Sequence, residues 1–205
     1  MATRPKSRAE SRLREGFVLD RRYAFLMGLP QADKEFAILE VARIFKKAGV
    51  PYAVMGGVAV QVHTQEPRTT LDLDIALRSK DAVPAEALLA AGFTHEGTFE
   101  FSDNWRAPGP LPRKQRTAVQ FSADALTADA VDHAGTVTLE GIDVSVVSPR
   151  DLVILKLAAA LEPRRRRSKR ISDYGDIVRL LEEHADLSKQ FPGIEGDLSV
   201  IRSML

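Results

Sequence analysis

Apolar positions recur along this chain with two periods, and each change of period marks an element. Phe36, Leu39 and Ile44 form a stripe at helical spacing. It predicts a helix from Asp33, as N-cap, to about Lys47, stopped by Gly49. A short apolar strand follows over Pro51 to Met55, then a short helical pattern from Gly57. From Leu71 to Arg78 the period drops to two, with Leu71, Leu73 and Ile75 alternating with Asp72 and Asp74. A helix over about Asp81 to Ala91 is expected to end at Gly92 in the C-cap position. Phe93 to Gln115 is irregular, with Trp105, Pro108, Gly109, Pro110 and Pro112, and reads as strands flanking a mobile loop that carries Arg106, Arg113, Lys114 and Arg116. A further strand is expected over Arg116 to Ser122. Thr136 to Leu139 and Ile142 to Val147, joined by Glu140-Gly141, read as a hairpin, and Ser148-Pro149 supplies an N-cap hydroxyl and an N1 proline for the next helix.

Composition narrows the class. At 205 residues and 44% hydrophobic content, the chain can bury one core, or a core with a helical appendage. A formal net charge of +1 gives no global field toward nucleic acid. The absence of cysteine excludes disulfides and thiolate sites and agrees with a cytoplasmic location. The apolar runs are too short to span a bilayer, so no membrane association is expected, and Met1 to Glu15 has no apolar core of the kind a signal peptide needs. Residues 1–30 read as a basic, flexible segment with Arg4, Lys6, Arg8, Arg12 and Arg14; an RNA-binding arm is the other reading. Residues 31–147 are expected to form a catalytic domain and 148–205 a C-terminal helical portion.

The chemistry concentrates between Met55 and Ala76. In a strand Asp72 and Asp74 share a face, where like charges raise each other's pKa unless a cation lies between them. Hard oxygen ligands of this kind suit magnesium, or manganese, completed by water and substrate phosphates. Gly56 and Gly57 let the backbone turn sharply and let a ligand approach. The amides of Gly57 and Val58 then open a helix whose N-terminus favours phosphate. A phosphate cradle beside a carboxylate pair is equipment for chemistry on a nucleoside triphosphate.

These residues resemble a known group. Gly56-Gly57 followed by Arg68-Thr69-Thr70-Leu71-Asp72-Leu73-Asp74 is similar to the signature of the nucleotidyltransferase superfamily, in its AbiEii-type or MenA-like toxin branch. The likeness continues through Ser148-Pro149-Arg150-Asp151-Leu152, Lys156, and Arg170-Ile171-Ser172-Asp173-Tyr174-Gly175-Asp176-Ile177, and covers roughly residues 33 to 184. It implies an α/β (α+β) fold, a short mixed sheet flanked by helices, with the helical portion closing over the nucleotide. It also implies metal ligation by Asp72 and Asp74, catalytic roles for both with Lys156 and Asp173, and nucleotide binding by Gly56, Gly57, Arg68, Thr70, Lys156, Arg170 and Asp176. The superfamily usually has a third carboxylate on a later strand, where this chain has Gln120, a poor general base. Asp124 or Asp143 substitutes, or the enzyme works without a third acid, or it is inactive.

Other features carry two readings each. The basic run Arg164 to Arg167 with Lys169 and Arg170 is a solvated linker or a phosphate contact, the latter favoured for Arg170. Arg68 holds the strand or grips a phosphate. Lys156 is a snorkelling helix lysine or a triphosphate partner, and Asp176 pairs locally with Arg179 or serves the nucleotide. His63, His95, His133 and His184 lack metal-ligand spacing. The resemblance implies transfer of a nucleoside monophosphate from a nucleoside triphosphate to a hydroxyl, first a tRNA 3′ end in a toxin pair with an antitoxin protein. An antibiotic-type small molecule is the second acceptor, and a degenerate nucleotide- or protein-binding module the alternative of another class.

Overall fold

The computed structural model describes residues 7–66 and 68–191; Arg4, Lys6 and the last part of the expected C-terminal portion lie outside the described residues. Two helices, α1 (Arg8–Leu26) and α2 (Lys34–Ala48), lead into β1 (Tyr52–Met55), α3 (Gly56–His63) and β2 (Asp72–Leu77). Then come α4 (Ala85–Ala90), β3 (Thr94–Thr98), β4 (Ser102–Arg106), β5 (Ala118–Ala123) and α5 (Ala125–Asp132). The hairpin β6 (Gly135–Leu139) and β7 (Ile142–Val146) precedes α6 (Pro149–Leu161), α7 (Arg167–Glu183) and α8 (Ala185–Gln190).

The predicted punctuation is realised at atomic level. Asp33 accepts the Phe36 amide at 2.8 Å, and Gly49 ends α2 in the left-handed region at φ 67°. Ser148 accepts the Asp151 amide at 3.2 Å, with Pro149 in the first turn of α6. The expected helix over Asp81 to Ala91 is instead a 3₁₀ turn, Lys80–Ala82, and the short α4. Pro84 lacks the amide that would carry one into the other.

Among the described residues one mixed sheet runs β3-β4-β5-β2-β1-β7-β6. At its centre β2 lies antiparallel to β1 and parallel to β5, and these registers build the site. Asp74 lies opposite Met55 on one side and Gln120 on the other, while Asp72 lies opposite Ala118. The inward residues Leu73, Ile75 and Leu77 of β2 are fully buried, and Phe45 of α2 stacks on Phe121 of β5 with ring centroids 5.3 Å apart. No described helix is long and apolar enough to cross a membrane.

Residues 8–26 depart from the expected flexible segment, because α1 is a capped helix whose Leu13 and Phe17 are buried in the common core. Each such side chain contributes about 1.5–3 kcal/mol on leaving water, enough to hold a polar helix in place. Two of its basic residues are tied into the fold. Arg12 pairs with Glu183 at 2.5 Å, and Arg14 pairs with Glu10 and Glu140.

Candidate active site

Where β1 meets α3 the chain turns at Gly56 with φ 62°, a conformation that side chains with a Cβ resist. Space reinforces the requirement. A Cβ on Gly56 would strike Asp74 Oδ2, and one on Gly57 would strike Arg68 Nη1 and lie 2.7 Å from Thr70 Cβ. The glycine turn therefore lies directly against the β2 carboxylates.

The two carboxylates differ in environment. Burial raises the pKa of Asp74 most, and the Asp72 charge adds to it; Lys156, Arg68 and Lys169 oppose them, leaving Asp74 pushed up to about 6. Burial also works against ionisation of Asp72. There the Thr70 hydroxyl, donating to Oδ1 at 2.7 Å, its own backbone amide and the charges of Lys169 and Lys34 prevail, and the carboxyl is held below its ordinary value. One acid is raised partly because its neighbour is charged. That is the signature of a pair suited to a shared cation, and the oxygen donors fit one hard divalent ion completed by water and substrate.

The position of a third acid is resolved geometrically. Gln120 stands beside Asp74 in the register and donates to Ser122 Oγ at 3.3 Å. Asp124 lines the same cleft, but its Oδ1 caps α5 by accepting the Thr127 amide at 2.8 Å. Asp143 belongs to β7, accepts from Thr138 Oγ1 at 3.1 Å and lies outside the cleft. Among the described residues no group of three or more His, Asp or Glu side chains is arranged to hold a metal ion.

Helices α6 and α7 form the opposite wall of a cavity of about 600 Å³. Lys156 Nζ donates to Asp173 Oδ1 at 3.0 Å and forms an ion pair with Asp176 Oδ2 at 2.8 Å. Arg165 Nε reaches Asp173 Oδ2 at 2.5 Å, and Arg68 Nε reaches Asp176 Oδ1 at 2.6 Å. Asp173 and Asp176 are thus buried counterions that fasten α7 to α6 and to the segment before β2. Asp173 touches the cleft and Asp176 stands behind it. Arg170 also lies outside the cleft lining, its Nε donating to the Ala160 carbonyl at 2.7 Å. Of the expected site residues, the cleft brings together Gly56, Gly57, Arg68, Thr70, Asp72, Asp74, Lys156 and Asp173.

Two groups escape a reading of the sequence. Arg166 and Lys169 line the cleft with no side-chain partner among the described residues, and the Lys169 charge acts on both carboxylates of β2. The basic run was visible, and helical spacing from Lys169 to Asp173 would have selected Lys169 over Arg170 as the inward residue. The second group is the buried pair Asp20 and Lys34. Asp20 Oδ1 accepts the Thr70 amide at 2.8 Å and Lys34 Nζ donates to the Thr70 carbonyl at 2.6 Å, so the residue that supports Asp72 is clamped on both sides. No spacing in the sequence announces it.

Comparison with known proteins gives a consistent picture. No match is found among the curated proteins. A nucleotidyltransferase-like antigenic protein from Paracoccidioides brasiliensis is 18% identical at a TM-score of 0.52, with 83% of this chain and 94% of that one covered. JHP933 from Helicobacter pylori is 16% identical at 0.50, with coverages of 84% and 79%. At such identities the likeness concerns the fold, a mixed sheet flanked by helices. The family model "Nucleotidyl transferase AbiEii toxin, Type IV TA system" matches residues 42–192, well over half of the sequence and all of the cleft described above. The chain is therefore a nucleotidyltransferase that belongs to the AbiEii toxin family.

Proposed function

We propose that this protein moves a nucleoside monophosphate from a nucleoside triphosphate to an acceptor hydroxyl in a reaction dependent on magnesium or manganese. The observation that carries the reading is the cleft itself, with the Asp72–Asp74 pair and the glycine turn on one wall and, on the other, the cations Arg166 and Lys169, unpaired among the described residues. Asp72 and Asp74 would hold the divalent ion, which supplies charge neutralisation on the phosphates and acidifies a bound hydroxyl. The amides after Gly56 hold phosphate oxygens at the start of α3. Lys169 and Arg166 offset the charge that develops on pyrophosphate. The acceptor oxygen bonds to the α phosphorus as the bond to the bridging oxygen breaks, and the hydroxyl proton leaves to water on the exposed side of Asp72. Asp173 and Asp176 are engaged as counterions of Lys156, Arg165 and Arg68 and serve to fasten α7 in place.

The first acceptor in this proposal is the 3′ end of a tRNA, in the cytoplasm, with an antitoxin protein as the regulating partner; the toxin character of the family supports the last. A second reading, a nucleotide-binding module without catalysis, is favoured by one observation, the amide of Gln120 beside Asp74. The test is titration with each nucleoside triphosphate, with and without magnesium, beside an Asp72→Asn/Asp74→Asn variant. The variant relieves the repulsion between the carboxylates and is expected to fold. Metal-dependent binding that disappears in the variant, with transfer to tRNA in the wild type, supports the reading. Binding that survives in the variant overturns it, and binding without transfer to any acceptor leaves the non-catalytic module.

A further inference from the structure

A second cavity, of about 310 Å³, meets the first at Thr70 and Asp72 and shares no other lining residue with it. It is walled by α1, α2 and the segment between β4 and β5, none of which contributes to the triphosphate cleft. The strand register explains the junction. Asp74 and Gln120 occupy the rung inside the first cleft, whereas Asp72 and Ala118 occupy the first rung of the strand pair, where the second cavity opens. An in-line displacement needs its nucleophile to enter opposite the departing pyrophosphate. With pyrophosphate held toward α6 and α7, the nucleophile must come past Asp72 from the other side.

The chemistry of the second cavity narrows what enters. Lys114 is exposed and has no side-chain partner among the described residues. Arg116 spends only its Nε, on the Leu111 carbonyl at 2.7 Å, and forms no ion pair among them. Arg21 at the rim has only a long contact, 3.8 Å, with Glu35. Of the other two acids in the lining, Asp20 is neutralised by Lys34, and Asp72 marks the junction with the first cavity. Beside these cations lies an apolar shelf that includes Leu71 and Leu29, 52% and 38% exposed although Leu71 directly precedes the carboxylate strand. Unspent cations repel a polycationic acceptor and attract phosphate, and the shelf offers a flat apolar face to a base. The volume matches about one nucleoside, at the small end of ligand sites.

We infer that this second cavity is the acceptor subsite, and that it takes the 3′-terminal nucleoside of an RNA strand, with Lys114 and Arg116 on the flanking phosphates. The inference rests on the transfer reaction proposed above, and its test separates the two. A short single-stranded RNA with a free 3′ hydroxyl is titrated against the wild type and against Lys114→Glu/Arg116→Glu, across a range of salt concentrations, with nucleoside triphosphate binding measured on the same samples. Both substituted positions are on the surface loop, and unchanged triphosphate binding certifies the fold. The expected result is RNA binding at least about tenfold weaker in the variant, with the salt slope reduced by about 1.4, two single-strand phosphate contacts. Equal RNA affinity and equal salt slope, with triphosphate binding intact in both proteins, overturn the subsite and leave the transferase reading standing. Loss of triphosphate binding in the wild type would instead remove the transferase reading. Stronger binding of a polycationic aminoglycoside than of RNA, weakened by magnesium but strengthened by the Glu substitutions, would reverse the assignment of acceptor class.

Discussion

Lys34→Met tests whether the buried clamp on Thr70 is a real ion pair. The side chains of Lys34 and Asp20 are 6% and 8% exposed, and removing the ammonium leaves the Asp20 carboxylate buried with only the Thr70 amide and the Gln61 side chain. Breaking one side of such a pair costs about 3–5 kcal/mol. The surviving hydrogen bonds to the carboxylate place the expected value near the lower limit, about 3 kcal/mol. In Asp20→Asn/Lys34→Met the charge is gone and the amide oxygen still accepts from Thr70, so the loss should shrink to about 1–2 kcal/mol. Urea unfolding reads both. With a slope of about 2 kcal/mol/M, the single variant lowers the midpoint by about 1.5 M and the double variant by about half as much. A single-variant loss under about 1 kcal/mol, or a double variant no more stable than the single, would refute the reasoning, because it would mean that solvent already reaches the pair.

Three further outcomes follow from the geometry. Gly56→Ala places a Cβ against Asp74 Oδ2 at φ 62°; backbone strain alone costs about 1–2 kcal/mol, and metal-dependent triphosphate binding should fall far more than the melting temperature, which calorimetry beside titration will show. His63 is half-buried with Nε2 donating to the Val147 carbonyl at 2.7 Å; desolvation first, then the charges of His184 and Arg12, lower its pKa to about 4. The folded state therefore binds fewer protons than the unfolded one, so up to about 3 kcal/mol of stability is lost as pH falls from about 6.5 to 4, and His63→Gln should flatten that part of the urea-unfolding pH profile. Lys156→Met leaves Asp173 and Asp176 buried with less compensation and should lose at least about 3 kcal/mol, with Lys156→Arg restoring most of it; a stable Lys156→Met protein would mean that the lysine is not their counterion.

How far the sequence revealed this protein depends on the range of the signal. Asp33 with Gly49, Ser148 with Pro149, and Glu140-Gly141 act on their own neighbours, and each produced the expected element. The Asp72–Asp74 alternation and the glycine turn were legible for the same reason, since period and missing Cβ are local properties. What failed was non-local. In α1 a buried Leu13 and Phe17 are outnumbered by charged residues whose partners Glu183 and Glu140 lie far along the chain, so composition suggested a solvated segment. Asp173 and Asp176 had the right spacing to face the cleft, but facing does not distinguish a ligand group from a counterion. That distinction required the distances to Lys156, Arg165 and Arg68.

Those distances also change how the cleft must bind its nucleotide. Five cations line it, Arg68, Lys156, Arg165, Arg166 and Lys169, against four carboxylates, Asp72, Asp74, Asp124 and Asp173. Asp176, just behind the lining, cancels the difference through Lys156 and Arg68. The cleft is therefore close to neutral despite its arginine-rich rim, and Lys156 carries no spare charge for a phosphate. A triphosphate entering alone would meet Asp72 and Asp74 with, among the described residues, only Arg166 and Lys169 unspent on its side. A divalent ion between the carboxylates and the phosphates removes that repulsion on both partners at once. The same ion would keep Asp74 ionised at lower pH as well, against the burial and the Asp72 charge that raise its pKa to about 6. Metal and nucleotide should thus bind as a linked pair, each weak without the other, which makes the metal-free arm of the titration as informative as the carboxylate variant.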